Sequence, residues 1–63
     1  MNGKVKWYDI KKGYGFITGE DGTDFFVHHS DIRDSPLSEN DPVTFDIEPT
    51  KKGEKAVDVR KEF

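Results

Sequence analysis

The chain contains no cysteine, which excludes disulfides and any zinc site built on thiolates. It has no apolar run near the about 20 residues that a membrane helix needs, and no leader-like pattern at its start. A soluble, cytoplasmic protein with no membrane partner is therefore expected. Nowhere do apolar residues recur at the helical period for long enough to make a stable helix. Repeats, low-complexity tracts and linkers are missing too, and 63 residues leave space for one domain, residues 1–63. A chain of that size buries only roughly 60% of the surface its unfolded form exposes, so its core must be small. Positive charge is in deficit: 10 Lys and Arg face 13 Asp and Glu, a net charge of −3. That balance argues against a polyanion held by charge alone, because phosphate contacts dominate most such affinities.

The deficit is uneven. Residues 1–19 hold Lys4, Lys6, Lys11 and Lys12 against Asp9, while residues 20–50 hold nine acids against Arg33. Residues 51–63 return to a small positive excess. The first group of lysines precedes an aromatic segment, Lys12-Gly13-Tyr14-Gly15-Phe16-Ile17, and a second, Phe25-Phe26-Val27-His28-His29-Ser30, follows. Side chains alternate across a strand, so Tyr14 and Phe16 share a face of one segment, and Phe26 and His28 a face of the other. Asp21-Gly22 between them is a strong hairpin signal. Pairing the two segments can therefore set four flat rings side by side. Ile17, Phe25 and Val27 supply the opposite, core-like face. Rings on both faces exceed what a small core needs, and the outward set forms a platform for something flat, such as nucleic-acid bases.

The rest of the chain reads as three more strands. Lys4-Val5-Lys6-Trp7-Tyr8-Asp9 alternates and then turns aromatic, and Ile10 to Gly13 make a turn. Ser30 to Arg33 fit one helical turn capped by Ser30. Residues 34–42 read as a loop with Leu37 as its core anchor. Val43 to Glu48 alternate with Val43, Phe45 and Ile47 inward, and Pro49 is expected to close that strand. Ala56 to Lys61 form the fifth strand, with Val57 and Val59 inward and Phe63 near its end. Five short strands, with two glycines bending the second, indicate a small closed barrel whose closure removes exposed edges.

Three of these segments resemble the cold shock proteins of bacteria and archaea. Gly3-Lys4-Val5-Lys6-Trp7-Tyr8-Asp9 is similar to the family's opening strand, and Lys12 to Ile17 and Phe25 to Ser30 to its two ribonucleoprotein-type motifs. The likeness extends through Val43 to Ile47 and on to Ala56 to Val59. It implies an all-β, five-stranded antiparallel OB-fold barrel, a cold-shock domain. The implied activity is binding of single-stranded RNA and DNA with low sequence specificity, with an RNA-chaperone role and no catalysis. Departures from the pattern are Tyr8 and Tyr14 for Phe, Asp9 for Asn, His29 for Phe, and a shortened loop between Ile32 and Val43 that lacks the aromatic often found there.

The expected nucleic-acid-binding residues are Lys6, Trp7, Lys12, Tyr14, Phe16, Phe26, His28 and His29. Strict alternation from an inward Val5 would bury Trp7, whereas a bulge near Lys6 and Trp7 would expose it, as the resemblance implies. Tyr8 fits either the platform rim or the core. His29 points inward if its strand stays regular and outward if the strand ends there. Because His28 and His29 face opposite sides of an ideal strand and no third ligand is suitably spaced, no metal is expected, nor any cofactor. A His28–Ser30–Asp31 triad is rejected on the same alternation, and a barrel this small offers no deep cleft. The competing reading is a small OB-type module that docks a protein partner or structured ribosomal RNA. A monomer is expected.

Overall fold

The computed structural model describes residues 1–34 and 36–62. Five strands follow one another, β1 (Asn2–Asp9), β2 (Tyr14–Gly19), β3 (Asp24–His28), β4 (Pro42–Thr50) and β5 (Gly53–Lys61), with a 3-10 turn at His29–Asp31. They close into a barrel in the order β1-β2-β3-β5-β4. All neighbours are antiparallel except β3 and β5, whose short parallel contact pairs Phe26 with Lys55 and completes the ring. Ile32 bridges to Val59 and extends this seam beyond the end of β3.

The core is the set Val5, Ile17, Phe25, Val27, Leu37, Val43, Phe45, Ala56 and Val59, with Tyr8, Ile32 and Ile47 packed on its margin. It contains Ile17, Phe25 and Val27 as alternation requires, and Phe25 meets Phe45 across the interior at 5.4 Å between ring centroids. Leu37 is 2% exposed and anchors the loop. Tyr8 belongs to the core margin rather than the platform.

Three expectations from alternation and turn chemistry are corrected. Pro49 does not end β4, which continues to Thr50 with Pro49 opposite Glu54. Strand β1 pairs with β4 only at Pro42, Val43 and Thr44. At Pro49 the strand therefore has a single neighbour, and a residue without an N–H is tolerated on such an edge. Val57 is only half-buried, because Asp58 takes a left-handed φ of 53° and shifts the phase of β5, so that Ala56 and Val59 fill the core. The 3-10 turn is capped not by Ser30 but by His28, whose side chain accepts from the Ser30 N–H. Phe63 lies outside the described residues.

Candidate nucleic-acid interface

Strand pairing assembles the rings. On β2 and β3, Tyr14 lies opposite His28 and Phe16 opposite Phe26. Trp7 joins them from β1, opposite Phe16. Trp7 contacts Tyr14 at 5.7 Å and Phe16 at 5.5 Å, and Phe26 contacts each of Tyr14 and Phe16 at 5.8 Å. Each of these four rings thus touches two others in a closed patch. Trp7 and Phe26 are each 36% exposed, and Tyr14 and Phe16 are half-buried. The patch lies outside a complete core, so its rings are not needed to fill the interior.

Trp7 faces outward because β1 bulges. Val5 pairs with Ile17 and Trp7 with Phe16, which leaves Lys6 with no residue opposite. The extra residue reverses the phase of the strand. His29 also faces outward, since β3 ends at His28 and the chain enters the 3-10 turn. Its ring packs beside that of His28 at 4.3 Å. Its N–H donates to the Gly13 carbonyl at 2.8 Å. Gly13 has φ +75°, a conformation that favours glycine, and a Cβ there would fall 2.7 Å from His29 Cδ2 and push that exposed ring aside.

The lysines differ from one another. Lys6 donates to Asp24 Oδ2 at 2.8 Å, and Asp24 also accepts from Thr18 Oγ1 at 2.8 Å. The Lys6 hydrogen bond and then that from Thr18 hold the exposed Asp24 carboxyl below its ordinary value. Lys6 keeps two further N–H donors on a half-exposed side chain, so a phosphate there would share it with Asp24 or compete for it. Lys11 and Lys12 are exposed and join no ion pair among the described residues. Asp9 stabilises the turn before them, its Oδ1 accepting from the Lys12 N–H at 3.1 Å and its carbonyl from the Gly13 N–H at 2.8 Å. Its carboxylate is thereby engaged with the backbone.

A groove of about 650 Å³ continues from Phe16 and Phe26 toward the β4–β5 hairpin, where Asp24, Thr50, Lys52, Glu54 and Lys55 line it. None of these hairpin residues is among the binding residues expected from the sequence. Lys55 lies 3.5 Å from Asp31 and 3.9 Å from Glu48. The pairing of Phe26 with Lys55 is what brings the hairpin to the platform, and no local motif marks it. Among the described residues no group of three or more His, Cys, Asp or Glu could hold a metal ion, and no helix is long and apolar enough to cross a membrane.

A closed five-stranded barrel of this topology is an OB-fold, and here it carries an exposed ring patch on β1, β2 and β3. Residues 1–62 match the 'Cold-shock' DNA-binding domain. "Cold shock protein 1" of Lactiplantibacillus plantarum is 52% identical over 61 residues, 92% of each chain. The "Cold shock-like protein" of Thermotoga maritima is 51% identical over 63 residues, covering 95% of this chain and 96% of its own. The "Major cold shock protein" of Streptococcus pyogenes is 44% identical over 62 residues, covering 94% and 92% respectively. The chain belongs to the cold-shock domain family, whose members bind single-stranded nucleic acids and are not enzymes.

Proposed function

We propose that residues 1–63 act as one monomeric domain that binds single-stranded RNA and DNA by stacking bases on Trp7, Tyr14, Phe16, Phe26 and His28, with His29 at the margin. In this reading Lys12 and Lys6 contact the backbone, Lys6 in competition with or beside its Asp24 partner, and the whole works as an RNA chaperone. The observation that carries the reading is the closed patch of four rings, partly exposed and outside a complete core. Stacking contributes about 1–3 kcal/mol per base and tolerates any base, since every base has a flat face. Four stacked bases gross about 4–12 kcal/mol, less the cost of ordering the strand. That suffices for micromolar or tighter binding on a chain of negative net charge. Bases spread over separate rings cannot pair, so binding energy alone opposes RNA hairpins.

The test is Trp7 fluorescence titrated with oligo-dT and with a duplex of equal length, at low and high salt. Strong quenching by the single strand alone, surviving high salt, is the expected result. An unchanged signal from the folded protein with both ligands would sink the reading and leave the rings to a protein partner. Preference for folded ribosomal RNA over oligo-dT would point to a structured-RNA binder.

A further inference from the structure

Ile10 is the most exposed large apolar side chain among the described residues, at 67%. It lies in the turn between β1 and β2, where small polar residues are the usual choice. A single exposed apolar residue needs no explanation by itself. This one differs in three respects. The turn is tied back on itself by the two hydrogen bonds to Asp9, so Ile10 is held out rather than left loose. Asp9 pairs with Tyr14 and Tyr14 with His28, which makes the turn the direct continuation of that end of the platform. Lys11 and Lys12 follow Ile10, exposed and outside every ion pair among the described residues.

An apolar side chain that enters a base step unstacks it, and neighbouring cations hold the phosphates on either side. We propose that Ile10 is a strand-separating wedge at the junction between single-stranded and duplex RNA, with Lys11 and Lys12 on the flanking phosphates. This rests on the platform reading above. One strand of a hairpin stem lies on the rings, and the last intact base pair meets the turn. Ile10 is buried against the base released when that pair opens. Because this burial is available only after opening, it favours the opened state, and an unstructured strand gains little from it.

The experiment compares wild type with Ile10→Ser and Ile10→Lys on two ligands, oligo-dT and a hairpin RNA carrying a fluorophore and quencher on its ends. Circular dichroism verifies the fold, which an exposed turn substitution leaves intact. For Ile10→Ser the expected result is oligo-dT affinity within about twofold of wild type, with hairpin opening at equal occupancy reduced about fivefold to tenfold. Ile10→Lys adds a cation and tightens oligo-dT binding, yet opens the hairpin as poorly. Equal opening by Ile10→Ser and wild type at equal occupancy would overturn the wedge. So would a loss of opening matched by the same loss on oligo-dT, which would make Ile10 one more contact of the stacking surface. Failure of the wild-type protein to bind oligo-dT would instead defeat the platform reading, and the wedge with it, before any variant is compared.

Discussion

Val5 and Trp7 are two residues apart on one strand, yet Val5 is 1% exposed and Trp7 36%, because Lys6 between them has no residue opposite. The bulge separates stability from binding at the level of single side chains. Val5→Ala should cost about 2 kcal/mol of stability, from lost burial and the cavity left behind, with oligo-dT affinity of the folded protein unchanged. Trp7→Ala should do the reverse, losing about 1–3 kcal/mol of affinity while the urea midpoint barely moves. A Trp7 variant that unfolds at room temperature would place that ring in the core after all.

Gly15 tests how closely β1 and β2 approach. A Cβ there would lie 2.3 Å from the Trp7 carbonyl oxygen and 2.8 Å from Tyr8 Cα, both backbone atoms that cannot rotate away. Gly15→Ala should therefore destabilise by about 1–3 kcal/mol, as overpacking does. It should also lower oligo-dT affinity, since the strands that move carry Trp7 and Tyr14. Urea unfolding and fluorescence titration of the same sample give both numbers.

Salt dependence measures how much of the binding is charge. With the Lys6 charge offset by Asp24, and Lys11, Lys12 and the groove residue Lys52 outside ion pairs among the described residues, two or so phosphates are expected to be neutralised. At about −0.7 per phosphate on single strands, log K should fall against log salt with a slope of about −1 to −2. A slope near about −5 would mean charge-driven binding and contradict the stacking account.

Acid titration reports the Lys6–Asp24 pair. Asp24 is held below its ordinary value of 3.8 in the fold, first by Lys6 and then by Thr18. A lowered folded value means that the pair's contribution is complete above pH 3.8 and is lost as pH falls through the lowered value. The stability difference between wild type and Lys6→Met should be constant near neutrality and vanish on acidification. A difference that persists in strong acid would assign Lys6 a packing role instead.

Much of this protein was legible in local pattern. Alternation in Phe25 to His28 separates core Phe25 and Val27 from platform Phe26 and His28, and Asp21-Gly22 marks the turn that brings Tyr14 opposite His28. Leu37 could be recognised as an anchor because it is the single large apolar residue in a polar loop. Period-2 reading failed where the backbone breaks phase. Nothing in Ala56-Val57-Asp58-Val59 announces the left-handed Asp58 that brings Ala56 into the core and leaves Val57 at its edge. The cap on the 3-10 turn was missed for a related reason: His28 accepts through a ring nitrogen, and Ser30 is the commoner capping type.

The sequence by itself determined the five strands, the inward residues of β2 and β3 and the rings available for an outer face, because side-chain alternation is a local property of extended chain. Tertiary structure decided which of those rings meet and which lysines are committed. Trp7 reaches the patch through a bulge set by pairing with β2. Lys6 is tied to Asp24, eighteen residues away. The β4–β5 hairpin reaches Phe26 only through the parallel seam that closes the barrel. Each depends on contacts between residues far apart in the chain, whose geometry exists only once the barrel has closed.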